Sequence, residues 1–324
     1  MGPITNMTNN NVKVAARALK MGKLVAFPTE TVYGLGADAT NSEAVARVYS
    51  VKNRPLHHPL IVHVSSLKQA TLWVNEMPEY ARKLALEFWP GPMTLILSRS
   101  NLAQGFITGN QATVAIRIPS HPTAIDLLME FESLGGAGVA APSANKFGAV
   151  SPTSCNDVYE EIGVALSNED LILDGGRCDV GIESTIIDCS SNVPRILRPG
   201  AITYEEISNV TELKFPRKFK SSQVKAPGTL DSHYAPKARV KLDINAKPGD
   251  GFIAMAGIPT PEGAIRLSAP LTSKEYARAL YSALRLGDQK KLKTIVAIQP
   301  KGTGIEVGIR ERLMKSANYT DKLT

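Results

Sequence analysis

Lys52, Arg54, His57 and His58 crowd into one short stretch, KNRPLHHPLIVHV (52–64), and are the residue types that hold a polyphosphate. A guanidinium offers phosphate oxygens a planar fork, an ammonium offers a point charge, and the two prolines stiffen the loop. A solvated basic turn has the same composition, so this stretch alone does not decide. A second group lies in APSANKFGAVSPT (141–153), where Ser143, Asn145 and Ser151 present hydroxyls and an amide without bulk. Thr29, Glu30, Thr31 and Tyr33 directly follow an apolar run, and loops at strand ends are where open α/β sheets bind ligands. Arg117 sits in the apolar run TVAIRIP, where a charge is costly unless it is paired or faces a cleft. His63, in LIVHV, reads either as a satisfied core histidine or as a site residue. STIID (184–188) and RILRPG (195–200) add Ser184 and Arg198 beside further apolar runs. The set suits a phosphorylated, hydroxyl-rich ligand, but residue types alone do not choose a reaction. A Walker-type GxxxxGK[ST] loop, a GxGxxG turn after a strand, HExxH and GxSxG do not occur.

The elements that must position these residues follow from periodicity and punctuation. Residues 11–21 read as an amphipathic helix closed by Gly22, 23–27 as a strand, and 28–36 as a loop. Residues 42–51 read as a helix capped by Ser42, 60–64 as a strand, and 78–88 as a helix opened by Pro78. Strands are predicted at 93–98 and 113–118, a helix at 122–131, a strand running into a loop at 138–145, and a helix near 153–162. Three more strands are predicted near 171–174, 184–188 and 195–198. Helices and strands interleave without regular alternation, which predicts a mixed α/β domain (of α+β character) around one large sheet. Residues 214–238 are basic, rich in proline and without periodicity, and read as a linker. A second α/β unit follows, with buried strands at 251–256 and 294–299, a helix at 273–287 closed by its own glycine, and a last helix at 305–317.

Length and composition agree with this division. A chain of 324 residues with 43% hydrophobic content predicts two packed domains. No apolar run is long enough to span a bilayer, and the polar start of the chain lacks a signal-peptide core, so a soluble, cytoplasmic protein is expected. Three cysteines without a CxxC pair argue against a disulfide framework or a zinc site. Residues 1–214 carry 17 basic and 21 acidic side chains, residues 215–324 carry 20 and 9. The basic C-terminal part suits either RNA contact or a solubilising surface.

In collinear order, FPTETVYGLGADAT (27–40), KNRPLHHPLIVHV (52–64), WPGPMTLIL (89–97), VAIRIPSHP (114–122), APSAN (141–145), GIESTIID (181–188) and ILRPG (196–200) resemble the L-threonylcarbamoyladenylate synthase family. HYAPKA (233–238) and the unit after it resemble the long form of that family. The resemblance implies a twisted, open, mostly antiparallel sheet around a concave cleft (1–213), a linker acting as an active-site lid (214–238), and a smaller Rossmann-like C-terminal domain (239–324). It implies synthesis of threonylcarbamoyl-AMP and pyrophosphate from L-threonine, bicarbonate and ATP. The product would serve a downstream tRNA threonylcarbamoyltransferase that modifies an adenosine next to the anticodon, with direct tRNA contact a further expectation.

Carried over residue by residue, the resemblance implies catalytic K-x-R and S-x-N pairs at Lys52, Arg54, Ser143 and Asn145. Thr31, His63, Arg117, Ala141 and Ser184 would surround threonine, with Arg117 facing its carboxylate. Arg54, His58, Thr113, Ser143, Ser151 and Arg198 would contact ATP, and Tyr234 would close over the nucleotide. His58 stands where the family varies. No protein-built metal site is expected, and Mg²⁺ would ride on the ATP phosphates. The related domains of hydrogenase-maturation carbamoyltransferases come with zinc-finger-like and acylphosphatase-like segments that this chain lacks.

Overall fold

The computed structural model describes residues 4–6, 9–216, 224–228 and 233–320. The middle of the expected lid, 217–223 and 229–232, lies outside the described residues.

In the larger unit the strands are β1 (Ile4–Asn6), β2 (Val25–Phe27), β3 (Gly34–Asp38), β4 (Ile61–His63), β5 (Met93–Ser98), β6 (Thr113–Arg117), β7 (Val139–Ala140), β8 (Leu171–Asp174), β9 (Thr185–Asp188) and β10 (Arg195–Arg198). Its helices are α1 (Asn9–Lys20), α2 (Ser42–Lys52), α3 (Leu67–Leu72), α4 (Glu79–Phe88), α5 (Gly105–Thr108), α6 (Pro122–Ser133), α7 (Cys155–Ile162) and α8 (Tyr204–Thr211). The strands form one ten-stranded sheet in the order β1-β8-β2-β3-β7-β4-β6-β5-β9-β10. Five of its nine pairings are antiparallel. Both faces are covered, so alternate residues of one strand enter different cores. Val25 and Phe27 pack with α1 and α6 through Leu19, Leu127 and Phe131. Leu24 and Ala26 belong to the core built on α2 and α4, with Val48, Tyr49 and Leu84.

The second unit contains β11 (Arg239–Leu242), β12 (Gly251–Ile253), β13 (Ile265–Ser268), β14 (Thr294–Ala297), α9 (Ser273–Gln289) and α10 (Glu306–Thr320). Its four strands are all parallel, in the order β11-β14-β12-β13. Its core extends into the larger unit, taking in Val32, Val150 and Ile182 together with Tyr234. Among the described residues no helix is long and apolar enough to cross a membrane. The three cysteines are free and buried.

Three local expectations are corrected. Asn41, not Ser42, caps α2: its side chain accepts from the backbone N–H groups of Glu43 and Ala44. The segment 28–36 is not loop throughout, because β3 begins at Gly34 and pairs with β2. Gly287 does not close α9 but lies inside it, where a Cβ would stand 2.4 Å from Ile295 Cδ1. It is there to let the helix approach the sheet, not to end the helix. Helices α3, α5 and α8 and strands β1, β11 and β13 add to the expected elements: α5 has only 4 residues, and Arg239, Lys241 and Arg266 dilute the apolar signal of β11 and β13.

Candidate functional site

A cavity opens where the ends of β2, β4, β6 and β9 meet the segment that leads out of the larger unit. Its walls include Thr29, Thr31, Arg54, His63, Arg117, Ala141, Ser143, Ser184, Arg198, Gly228, His233 and Tyr234. The parallel pairing of β4 with β6 places His63 beside Arg117. Thr31 is delivered by the turn after β2, where the Thr29 hydroxyl lies 2.9 Å from that of Thr31 and donates to the Val32 carbonyl at 2.7 Å.

The five residues expected around threonine all line this cavity. Arg117 donates to the Thr31 hydroxyl at 2.8 Å and pairs with Glu30 at 2.6 Å. The cost of a charge in an apolar strand is thus met by a carboxylate that sequence reasoning left without a role. Glu30 also accepts the Ser120 N–H at 3.0 Å, which fixes its second oxygen. Burial, reinforced by Arg117, pushes the His63 imidazole down to about 3, so the ring is neutral at pH 7. The hydroxyls of Ser184 and Thr94 share a hydrogen bond of 2.8 Å.

The residues expected around ATP divide. Arg54, Ser143, Arg198 and Tyr234 line the cavity. Arg54 donates to the Pro59 carbonyl at 2.9 Å and lies over the Phe147 ring at 5.7 Å, and burial pushes its guanidinium down to about 10. Arg198 grips Ser184 through its carbonyl (3.1 and 2.9 Å) and hydroxyl (3.0 Å), and reaches the Pro227 carbonyl at 3.1 Å. His58 does not line the cavity and stands edge-on to Phe147 with ring centroids 5.3 Å apart. Thr113 is four residues back from Arg117 on the same face of β6 and does not line the cavity. Ser151 is fully buried and donates to Glu183 at 2.5 Å, so it meets the cavity only through that carboxylate.

Lys52 does not line the cavity; its ammonium donates to the backbone carbonyls of Ser143 and Asn145. Burial, with Arg54 nearby, holds it well below the usual lysine range. Lys52 therefore shapes the Ser143–Asn145 loop and does not wall the cavity. Asn145 likewise turns its amide nitrogen to the Lys146 and Ala149 carbonyls, at 2.7 and 2.9 Å.

Sequence reasoning missed Glu183, Phe147 and Gly228. Glu183 was visible as the lone acid in GIESTIID (181–188) ahead of the closing aspartate; Phe147 gave no signal, and it touches Arg54, His58 and His233. Gly228 has φ +76°, and a Cβ there would meet the Tyr234 hydroxyl at 2.3 Å. Arg54 Nε, Asn145 Oδ1, His233 Nδ1 and Tyr234 Oη are buried with no hydrogen-bond partner. Such a group costs about 1–3 kcal/mol, and the three on Arg54, His233 and Tyr234 line the same cavity and mark where a polar ligand belongs. Among the described residues no group of three or more His, Cys, Asp or Glu could hold a metal ion.

Three arginines, several hydroxyls and these unpartnered groups define a site for an anionic, hydroxyl-bearing small molecule at the strand ends of a mixed sheet. Comparison with known proteins gives the family. The Sua5/YciO/YrdC model, described as "Telomere recombination", matches residues 17–200, and the model described as "Threonylcarbamoyl-AMP synthase, C-terminal domain" matches residues 202–318. The threonylcarbamoyl-AMP synthase of Pyrococcus abyssi is 37% identical over 95% of this chain and 94% of its own length. That of Bacillus subtilis is 37% identical over 94% and 92%. The crystal structure of P. abyssi Sua5 complexed with L-threonine superposes with a TM-score of 0.86 at 35% identity, covering 98% of both chains. The chain belongs to the threonylcarbamoyl-AMP synthase family in its long, two-unit form.

Proposed function

We propose that this chain is an adenylyltransferase that makes L-threonylcarbamoyl-AMP and pyrophosphate from L-threonine, bicarbonate and ATP. The observation that carries this reading is full-length similarity to the synthases, with the five expected threonine-side residues all lining one cavity. In this reading the threonine amine and bicarbonate give a carbamate and water. A carbamate oxygen attacks the α-phosphorus of ATP, and pyrophosphate leaves. The threonine side is Thr31, His63, Arg117, Ala141 and Ser184, and the triphosphate side is Arg54, Ser143 and Arg198. Positioning and charge neutralisation supply most of the catalysis, since phosphoryl transfer asks little covalent help of the protein. Lys52 contributes by fixing the Ser143–Asn145 loop.

Tyr234, whose hydroxyl is buried and unpartnered, closes the cavity from the segment after the larger unit. Closure suits the chemistry, because carbamates and mixed anhydrides are labile in water. A divalent ion, Mg²⁺ in this proposal, would arrive on the triphosphate. The residues present do not fit a protein-built site, since Glu30 and Glu183 are each paired to an arginine. The product would pass to a tRNA threonylcarbamoyltransferase in the cytoplasm for modification next to the anticodon; direct tRNA contact by the basic C-terminal unit is part of the proposal. The test is pyrophosphate release from ATP, expected only when both L-threonine and bicarbonate are present. Turnover indifferent to threonine overturns the reading.

A further inference from the structure

Glu183 is the one carboxylate among the described residues lining the cavity, and it is 5% exposed. A carboxylate beside a polyanion site repels its ligand unless something cancels it. The cancelling charge comes from the other unit. Arg312, on α10 and fully buried, sets its Nε 3.0 Å from a Glu183 oxygen and donates through Nη2 to the Glu183 carbonyl at 3.2 Å. The same carboxylate accepts from Tyr281 of α9 at 2.8 Å and from Ser151 at 2.5 Å. Glu311 holds the far side of the Arg312 fork at 2.6 Å.

Three and four residues further along α10, the same helix face grips the segment that closes the cavity. The Ser316 hydroxyl donates to the Tyr234 carbonyl at 2.8 Å, the His233 N–H donates to the Lys315 carbonyl at 3.3 Å, and the Lys315 ammonium donates to the Gly228 carbonyl. The Arg312 guanidinium itself lies 5.5 Å from the centre of the Tyr234 ring.

We infer that Arg312 is a positioning residue of the synthase site, by which the C-terminal unit neutralises Glu183 and clamps the Tyr234 segment over the nucleotide. The inference rests on the proposed placement of ATP in this cavity. The second unit thereby gains a definite role, since without α10 Glu183 faces the triphosphate without its arginine and the lid keeps only its contacts to the larger unit, such as Ala235 N–H on the Gly148 carbonyl and Arg198 on the Pro227 carbonyl.

The test uses the full chain with Arg312→Met, Glu183→Gln, the double variant and Arg312→Lys, in pyrophosphate release dependent on threonine and bicarbonate. Arg312→Met is expected to raise KM for ATP by about 30-fold, while KM for threonine stays within about threefold. Adding Glu183→Gln removes the uncancelled charge and is expected to recover about tenfold of the ATP loss. A merely structural arginine predicts equal losses for both substrates; that result, or an ATP loss that Glu183→Gln leaves in place, overturns the inference. Should Arg312→Met fail to fold, Arg312→Lys, which keeps the charge but loses the fork, is expected to raise KM for ATP by about fivefold; an unchanged value overturns the inference. Amide exchange gives a second readout that needs no turnover. In the ligand-free variants lacking the fork, exchange at His233 and Ala235, bonded to Lys315 and Gly148, is expected to quicken about tenfold, and unaltered exchange refutes the clamp. Absence of threonine-dependent turnover in the wild type would instead overturn the reading of the site, leaving the clamp to the exchange measurement.

Discussion

Replacing Arg117 tests the threonine side of the site most sharply. Arg117 and Glu30 are 4% and 6% exposed and 2.6 Å apart, with Thr31 and Gly91 each taking one further donor of the guanidinium. Two losses must be separated in Arg117→Ala. The first is binding: one charge-assisted contact to the threonine carboxylate contributes about 1.5–3 kcal/mol, which is about a 10- to 150-fold rise in KM for threonine. The second is folding: Glu30 is left as a buried, unpaired acid, which costs about 3–5 kcal/mol. The double variant Arg117→Ala/Glu30→Gln removes the second loss but not the first. Its unfolding midpoint in urea should therefore recover most of the way to wild type, while KM for threonine stays raised and KM for ATP stays near normal. Threonine titrations of pyrophosphate release, alongside urea unfolding, give both numbers. If the double variant is stable and its KM for threonine lies within about twofold of wild type, well below the rise worked out above, Arg117 serves the core alone and the assignment of the threonine side fails.

Other expectations follow from the same geometry. Arg54→Ala should cut turnover by about 100-fold or more, as loss of a charge clamp on a transferring phosphoryl group does; near-normal rates in a folded variant count against its role. Tyr234→Phe removes only a hydroxyl that has no partner, so the urea midpoint should hold or rise while KM for ATP increases by about fivefold. A lower midpoint with unchanged KM would reverse that assignment. His63 and His233 are both held at about 3 by burial, whereas an unfolded histidine takes up its proton near pH 6.5. The unfolded state then binds more protons, so stability is full above about pH 6.5 and falls by about 1.4 kcal/mol per pH unit per histidine as pH drops toward 3. Urea midpoints measured from about pH 7 to about pH 5 should show this slope, and His63→Gln should lower it; an equal slope in the variant speaks against a buried neutral His63.

Much of the molecule is written locally. The runs MTLILS and LILD are short, largely apolar and bounded by turn residues, and they are strands in the structure. The sequence order of the threonine and serine loops relative to those strands already pointed to strand-end chemistry, and their collinear motifs pointed to one family. Partnership was not legible. Arg117 was visible as a costly charge, but that Glu30 meets it depends on β6 and the turn after β2 arriving side by side from opposite parts of the sheet order. Lys52 looked like a phosphate ligand because composition reports a charge and not its direction; the left-handed turn at Asn53 and the path of the 143–145 loop turn it into the backbone. Gly287 looked like a helix stop because a glycine reads the same whether it ends a helix or lets a sheet come close. The largest difference is Glu183. In sequence it is one acid in a hydroxyl-rich motif, and its partner Arg312 is 129 residues away in another unit. An ion pair at that separation leaves no periodic trace, since it exists only once two separately patterned cores have packed together, and only the tertiary structure places both charges at the same cavity.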